Sequence, residues 1–462
     1  MNTVDIGSRV EMLVDDYLVE ATSGLDFRLN QPVEREVAIT GDRPWEGPGS
    51  FAYATVFAWK GMYHLYYRAT APGNTGDTGE LQYLCYARSA DGVHWEKPAL
   101  GLFEYGGSTA NNIVLGGEVC HNFTPVLDTN PACPESERIK AAAGYGHALY
   151  VYGSADGLRF HRLSDEPAVA SKRFGFDSQN VLFYDDARGV YRIYSRYFKP
   201  SPFGVTREEG VTVVRAIQMS ESKDCLHWSA PVPNEYTEGA DEQFYTNAVT
   251  PCPGAEHVLL SLPMRFAEER ARAVMRGSRG VSDAVFMTSR DGHLWDRRHM
   301  DSLIGGGLDE RGWTQRCNIP ARGLLRLGDE LSLYVQRRYC WEDASLVRFT
   351  MRPFGFSALH AGAKEGELRS KPFVFSGDAL RVNFSTAATG SARFALTDPD
   401  TGAPYAGFSF EDCEELFGDA LDEAVRFAGG PLTALSGRPV VLQARLRLGN
   451  LYSFRFGEAD AR

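Results

Sequence analysis

Acidic residues recur at intervals along the chain, and we place each of them just before a predicted strand. The leading four are Glu46, Asp128, Asp177 and Glu242. Two carboxyl groups that face one pocket can cleave a glycosidic bond, because one protonates the leaving oxygen while the other activates water or attacks the sugar. A separation of about 6.5–9.5 Å would give inversion and about 5–5.5 Å retention. We therefore take these four as candidate catalytic residues.

Arginines recur in the same way at the ends of the second predicted strands. Neighbouring antiparallel strands run in opposite directions, so these arginines should reach the same rim as the acids. They either orient the carboxylates or bind an anionic group of the substrate, and the matching numbers of acids and arginines favour orientation. Aromatic rings beside the acids would stack on the apolar face of a sugar. The predicted substrate-binding residues are Trp45, Arg68, Arg196, Tyr245, Arg265 and Arg337.

The elements that must position these side chains appear as a repeat. A Ser-x-Asp sequence followed by an aromatic residue four positions after the Asp occurs four times, with the aspartates at intervals of 65, 68 and 67 residues. The aspartates are Asp91, Asp156, Asp224 and Asp291. Asp-Gly suits a tight turn, since Gly adopts a positive φ and Asp bonds its own backbone. A regular period of this size indicates one structural unit repeated along the chain.

Short β-branched and aromatic runs between these turns predict about four strands per repeat. A fifth repeat, without the turn sequence, spans Ile319 to Met351. We therefore predict an all-β fold, a five-bladed β-propeller in residues 1–355 followed by a C-terminal antiparallel β-sandwich in residues 356–462. We expect Val10–Val19 to close the last blade as its outer strand, and a short helix near Glu411–Phe417.

Composition restricts the partners. The 462 residues carry a net charge of −12, which disfavours nucleic acid and anionic membranes and leaves a small carbohydrate as the expected partner. The sequence shows no apolar run of spanning length and no secretory leader, so we expect a cytoplasmic protein without a membrane partner. The eight cysteines lack a C-x-x-C pair and predict reduced, buried thiols. We expect no cofactor; a structural Ca²⁺ in the axial channel and a homo-oligomer are left open.

Several motifs carry a resemblance to a known family. They are Leu13-Val14-Asp15-Asp16-Tyr17-Leu18, Pro44-Trp45-Glu46-Gly47, the segment from Ser89 to Pro98, Asn111-Asn112-Ile113-Val114 and Ser289-Arg290-Asp291-Gly292. With these motifs the chain resembles the five-bladed-propeller glycoside hydrolases of the invertase, levanase and arabinanase superfamily. Within it, the chain is similar to a group of bacterial proteins assigned as glycosidases.

This resemblance implies one acid from each of the first three blades: a base or nucleophile, an orienting Asp and a general acid. By position, Glu46 stands where an Asp is expected, Asp128 matches the second acid, and Asp177 stands where a Glu is expected. Glu242 is an alternative acid. The invertase signature Asn-Asp-Pro-Asn-Gly is absent, so the resemblance does not imply sucrose or levan as substrate.

The predicted function is hydrolysis of a short oligosaccharide or glycoside, with a furanoside such as an arabino- or fructofuranoside as one candidate. Glu46 and Asp177 are the leading catalytic pair. Two alternatives stay open. One is a non-catalytic carbohydrate-binding propeller, and the other is a glycoside phosphorylase that would hold phosphate with the arginines and a histidine.

Overall fold

The computed structural model describes residues 3–72, 81–172, 175–206, 210–272, 274 and 279–458. The described residues are all-β, and their only helices are 3-10 turns, at Glu118–His121, Glu135–Glu137, Glu310–Trp313 and Leu432–Ala434. None of these helices in the described chain is long and apolar enough to cross a membrane. The chain forms two compact units, which we call the repeat unit (Pro32–Thr350) and the terminal unit (Met1–Gln31 with Met351–Arg462).

The strands are numbered along the chain, and the first four belong to the terminal unit. They are β1 (Val4–Gly7), β2 (Glu11–Met12), β3 (Val19–Ser23) and β4 (Leu25–Leu29). The strand β5 (Val33–Thr40) opens the repeat unit.

The repeat unit continues as five successive groups of strands. Group I comprises β6 (Thr55–Trp59), β7 (Met62–Thr70), β8 (Gln82–Ser89) and β9 (Ile113–Gly116). Group II comprises β10 (Thr124–Leu127), β11 (Ile139–Tyr145), β12 (Ala148–Ser154), β13 (His161–Arg162) and β14 (Val169–Ala170). Group III comprises β15 (Val181–Asp185), β16 (Val190–Thr206), β17 (Thr212–Ser222) and β18 (Val232–Pro233).

Groups IV and V complete the repeat unit. Group IV comprises β19 (Glu235–Tyr236), β20 (Thr250–Cys252), β21 (Ala255–Ser261), β22 (Met264–Ala267), β23 (Val281–Ala284), β24 (Met287–Ser289) and β25 (Leu294–Trp295), divided among three small sheets. Group V comprises β26 (Ile319–Pro320), β27 (Leu325–Leu327), β28 (Glu330–Arg337), β29 (Ser345–Met351) and, at its outer edge, β5.

The outer strand of group V corrects a prediction. Residues 33–40 pair antiparallel with β29, whereas the predicted segment Val10–Val19 supplies strands to the terminal unit, where β2 pairs with the last strand of the chain. An outer strand buries little of its surface, so its sequence can be polar. The exposed Glu34, Arg35 and Glu36 of β5 therefore gave no apolar alternation to recognise.

The Ser-x-Asp turns form as predicted, and the serine of each turn is the last residue of a strand. In the second copy, Ser154 Oγ donates to Asp156 Oδ1 (3.0 Å), and Asp156 Oδ1 accepts the N–H groups of Leu158 and Arg159 (both 2.8 Å). The residue after each aspartate has a positive φ, between 66° and 81°. Three of these residues are glycines, and the fourth is Cys225.

The turns also join successive groups. Tyr66 on β7 donates to the carbonyl of Gly157 in group II at 3.0 Å, and a tyrosine on β16 makes the same contact with group IV at 2.7 Å. Tyr334 on β28 donates to the carbonyl of Gly92. Group V is therefore hydrogen-bonded to group I.

The terminal unit is completed by the last six strands. They are β30 (Ser357–Ala361), β31 (Gly366–Ser370), β32 (Phe373–Phe375), β33 (Ala379–Thr397), β34 (Asp419–Ala424) and β35 (Val441–Gly457). Eight strands form one sheet with the path β3-β31-β35-β30-β4, and β1 pairs with β32 in parallel. Stacked rings at its core, such as Phe375 on Phe456 with centroids 3.8 Å apart, account for the aromatic runs here.

Two further predictions can be compared with these elements. The prediction of a helix near Glu411–Phe417 is wrong. This segment forms a turn and isolated bridges, from Cys413 to Phe427 and from Leu416 to Ala392. All eight cysteines are buried, as predicted, and each is a free thiol in the described structure.

Candidate active site

The segments that lead into the first strands of the five groups carry polar side chains that the structure brings into one cluster. Tyr53 and Arg316 precede β6 and β26 with φ values of 56° and 53°. A non-glycine residue in this left-handed region costs on the order of 1–3 kcal/mol and persists only where its surroundings impose the conformation. Three arginines on the second and third strands of the groups join these side chains. We call all of these residues together the central cluster. Its members are Tyr53, Arg68, His121, Asp177, Arg196, Arg215, Tyr245 and Arg316.

Asp177 is the carboxylate of this cluster. It forms an ion pair with Arg196 on β16, and its side chain is 26% exposed while that of Arg196 is only 3% exposed. The backbone carbonyl of Asp177 accepts hydrogen bonds from His121 Nε2 (2.8 Å) and Tyr53 Oη (3.4 Å). Asp177 is therefore held by three neighbours and is still accessible to solvent.

Two tyrosines beside Asp177 differ in acidity. Burial would raise the pKa of Tyr245, but nearby guanidinium groups, above all that of Arg316, outweigh it and lower the pKa. Burial, and then the proximity of Tyr245, hold the pKa of Tyr53 well above its ordinary value. Tyr245 is therefore the more acidic of the two phenols. Two neighbouring titratable groups whose pKa values are shifted in opposite directions can divide the acid and base roles between them.

His121 is held as a neutral ring. Because the carbonyl of Asp177 can only accept, His121 Nε2 carries the proton, and Nδ1 of a neutral ring is left to accept from Arg68 Nη1 at 3.5 Å. Burial and the charge of Arg68 lower the pKa of His121 well below its ordinary value. His121 therefore positions the Asp177 backbone and does not gain a charge at ordinary pH.

The arginines surround the tyrosine rings. Arg196 and Arg215 lie over Tyr245, with Cζ 5.2 and 5.1 Å from the ring centroid. Arg215 also donates to Gln243 Oε1 (2.5 Å) and to Glu268 Oε2 (2.6 Å). All four arginines of the cluster are buried, with 2–9% of each residue exposed.

A cavity of about 410 Å³ adjoins the cluster. Gln243 and Glu268, the partners of Arg215, are among its lining residues. Three aromatic rings also line it, those of Phe203, Phe266 and Trp313. The cavity thus has the aromatic and acidic lining that a sugar requires.

Glu242 belongs to this cavity and to an ion-paired group. Arg265 Nη1 lies 3.1 Å from Glu242 Oε1, and the same guanidinium makes a two-pronged contact with Asp283 at 3.0 and 2.6 Å. The side chain of Glu242 is 33% exposed. Glu242 and Arg265 therefore lie beside the central cluster and form an ion pair with each other.

Glu46 lies elsewhere, in an enclosed pair between groups I and V. Its carboxylate accepts from Lys97 Nζ (2.6 Å) and Tyr67 Oη (2.5 Å), and none of its side chain is exposed. Burial raises the pKa of Glu46, although Lys97 and then Tyr67 act to lower it. Its neighbour Trp45 donates to Asn112 Oδ1 at 3.0 Å and is likewise buried. Both residues support packing, and neither reaches the cavity.

Asp128 and Arg337 are also outside the cluster. Asp128 follows β10 instead of preceding it, accepts from Tyr191 Oη (2.9 Å) and pairs with Lys140 (3.3 Å), with 1% of its side chain exposed. Arg337 donates to the carbonyl of Gly305 (2.8 Å) and pairs with Glu34 on β5. The expected ring of four acids around one hollow is therefore corrected to a single cluster with Asp177 and a neighbouring cavity with Glu242.

Sequence reasoning missed two arginines of the cluster. Arg215 lies on the third strand of group III, and Arg316 lies in an irregular segment before β26, so neither matched the pattern of second strands that end in arginine. The position of Arg316, just before a first strand like Asp177, is the signal that could have found it. Among the described residues, no group of three or more His, Cys, Asp or Glu side chains is arranged to hold a metal ion.

No protein-family model and no curated protein matches this sequence. Among solved structures, the chain is similar to a glycoside hydrolase at 12% identity and a TM-score of 0.49, over 70% of this chain and 93% of that one. It is similar to an N-acetylgalactosamine deacetylase from F. plautii in complex with blood group B trisaccharide (15%, TM-score 0.43, 71% and 96%). It is also similar to an α-L-arabinofuranosidase from Fusarium graminearum in complex with an iminosugar inhibitor (11%, TM-score 0.42, 70% and 98%).

Proposed function

We propose that the protein is a glycoside hydrolase that cleaves a short oligosaccharide or glycoside, with arabino- and fructofuranosides as first candidates. The observation that carries this proposal is Asp177, an accessible carboxylate that Arg196 holds by an ion pair. It lies beside two tyrosines whose pKa values are shifted in opposite directions. Such a carboxylate suits acid–base work on a sugar, and its cluster is linked through Arg215 to two lining residues of a cavity with aromatic and acidic walls.

The roles follow from the surroundings of each group. Asp177, oriented by its ion pair, is the candidate base or nucleophile, and Glu242 in the adjoining cavity is the candidate acid. The lowered pKa of Tyr245 makes it a second candidate nucleophile, since a tyrosine takes this role in some glycosidases. Tyr53, whose hydroxyl donates to the Asp177 carbonyl, would hold that residue in position.

The proposal takes groups I to V as five blades of a propeller and the terminal unit as a β-sandwich. The successive contacts between groups, and the hydrogen bond from Tyr334 to Gly92 that links group V to group I, support a closed ring. In such a ring the segments that precede the first strands meet at the axis, where Tyr53, His121 and Asp177 contact one another.

The test replaces carboxylates in and outside the cluster. We expect Asp177→Asn to lose about 10²–10⁴ in turnover of the glycoside that the wild-type protein cleaves fastest in a panel of pyranosides and furanosides. Glu46→Gln is the matched control, and its folded protein should keep wild-type turnover. Full activity of Asp177→Asn would contradict the proposal, and sugar binding without turnover by the wild-type protein would favour a binding propeller.

A further inference from the structure

The arginines of the central cluster are packed against tyrosine rings rather than spread over the surface. Arg68 Cζ lies 5.0 Å from the ring centroid of Tyr53, and Arg316 Cζ lies 5.0 Å from that of Tyr339. With Arg196 and Arg215 over Tyr245, four guanidinium groups share one small volume. Guanidinium planes held in this way present fixed forks of N–H donors.

The orienting role accounts for only part of this charge. Asp177 pairs with Arg196 and Glu268 pairs with Arg215. Arg68, which is 2% exposed, contacts groups of another kind.

The partners of Arg68 are neutral. They are the His121 ring (3.5 Å), Tyr339 Oη (3.2 Å) and the carbonyl of Gly49 (3.3 Å). Among the described residues, Arg68 forms no ion pair with a carboxylate. A buried cation without a carboxylate is costly, which makes an anion at this place favourable.

The pKa shifts of two neighbouring groups, His121 and Tyr245, agree with a positive potential at this place. His121 is kept neutral by burial and by the charge of Arg68, which lower its pKa, and the pKa of Tyr245 is lowered by guanidinium charges against the effect of burial. Both shifts have the sign that a local excess of positive charge produces.

We propose that Arg68, with Arg196, Arg215 and Arg316, forms a subsite for an oxyanion of the substrate or co-substrate. This inference rests on the proposed function and adds the substrate class: either a glycoside whose sugar bears a carboxylate, or a reaction in which inorganic phosphate takes the place of water. In both cases a planar or tetrahedral oxyanion meets forked N–H donors. We expect the anion to enter past the accessible side chain of Asp177 or from the cavity that Gln243 and Glu268, the partners of Arg215, help to line.

The experiment is calorimetric titration of the full-length protein with glucuronate, with inorganic phosphate and with glucose as the neutral control. We expect at least one of the two anions to bind, to bind more weakly as salt is raised, and to lose about tenfold or more in affinity in Arg68→Met. Arg68→Lys keeps the charge without the fork and should lose less. The exposed Arg88→Met on β8, paired only with Glu96 on the surface, is the matched control and should bind as the wild type does.

The outcomes separate this inference from the proposed function. Binding of neither anion by the wild-type protein, or equal binding by wild type and a folded Arg68→Met, would overturn the subsite, whether or not glycosides are cleaved. Phosphate binding with phosphate-dependent cleavage would keep the subsite and replace the hydrolase by a phosphorylase, whereas glucuronate binding with cleavage in water would keep both and identify an acidic sugar. Anion binding without any cleavage would keep the subsite and reject the hydrolase. The midpoint of thermal unfolding shows which variants are folded; if Arg68→Met is not, Arg316→Met takes its place.

Discussion

Two tyrosines in one cluster, Tyr53 and Tyr245, should ionise at very different pH values. Because guanidinium charges lower the pKa of Tyr245, its phenolate forms below the ordinary tyrosine value of about 10. We expect ultraviolet titration to detect one tyrosine that ionises early. Turnover should rise with pH as this group loses its proton, if Tyr245 acts in its ionised form.

The variants that check this prediction differ by one hydroxyl group. Tyr245→Phe should remove both the early ionisation and the corresponding limb of the pH–rate profile. Tyr53→Phe should leave the early ionisation in place, because the pKa of Tyr53 is raised. An early ionisation that persists in Tyr245→Phe would show that another tyrosine is responsible.

The buried pair of Glu46 and Lys97 predicts a large effect on stability without an effect on the site. Lys97→Met leaves the fully buried carboxylate of Glu46 without its ammonium partner, which should cost about 3–5 kcal/mol. Denaturant unfolding measures this loss. The double variant Glu46→Gln with Lys97→Met should recover most of it, and its failure to do so would mean that the two side chains are not energetically coupled.

The sequence could indicate which residue types recur, but not which way each side chain faces. Asp177, Arg196 and Tyr245 were predicted by position and the structure brings them together. Glu46 was chosen by the same reasoning, yet its side chain meets a lysine from beyond β8. A spacing along the chain places a residue near a strand end, whereas such a pairing depends on three-dimensional packing.

At the scale of the element, the Ser-x-Asp turns predict a contrast between two alanine variants. Gly157 has φ 73°, and a Cβ there would lie 2.4 Å from Tyr66 Oη. Gly157→Ala should therefore lower the free energy of unfolding by about 1–3 kcal/mol. Cys225 occupies the same place in its turn with φ 66° and already carries a Cβ.

Cys225→Ala is thus the matched control, and it should cost only about 1 kcal/mol for the lost sulfur contacts. Denaturant unfolding of both variants gives the comparison. Equal losses would mean that the contact with Tyr66 and the backbone strain are not what requires glycine.

The turns also explain how far the fold could be predicted. Four copies of one hydrogen-bonding pattern identified the repeat, because Ser and Asp side chains bond backbone that is close in sequence. The outer strand β5 escaped prediction, because its partner β29 lies some 300 residues away and its own residues are mostly exposed. Hydrogen bonds between residues close in sequence could be predicted from the sequence, whereas the pairing of strands far apart in sequence could not.

At the scale of the whole molecule, the two units have separate cores and should unfold separately. We expect calorimetry to resolve two transitions. Phe375→Ala removes a stacked, fully buried ring of the terminal unit and should lower one transition, by about 3–5 kcal/mol.

Tyr334→Phe provides the comparison for the repeat unit. It removes the hydrogen bond between groups V and I and should lower the other transition by about 1 kcal/mol. A single transition that both variants shift would show that the two units unfold as one.

The assignment of the first 31 residues to the terminal unit has a consequence for biosynthesis. Val4 pairs with Phe373, so the strand at Val4 leaves the ribosome before its partner and waits until the residues between them have been translated. At about 5–20 residues per second, that delay lasts on the order of tens of seconds. During this time the unpaired edges of this strand are open to chaperones and to neighbouring nascent chains.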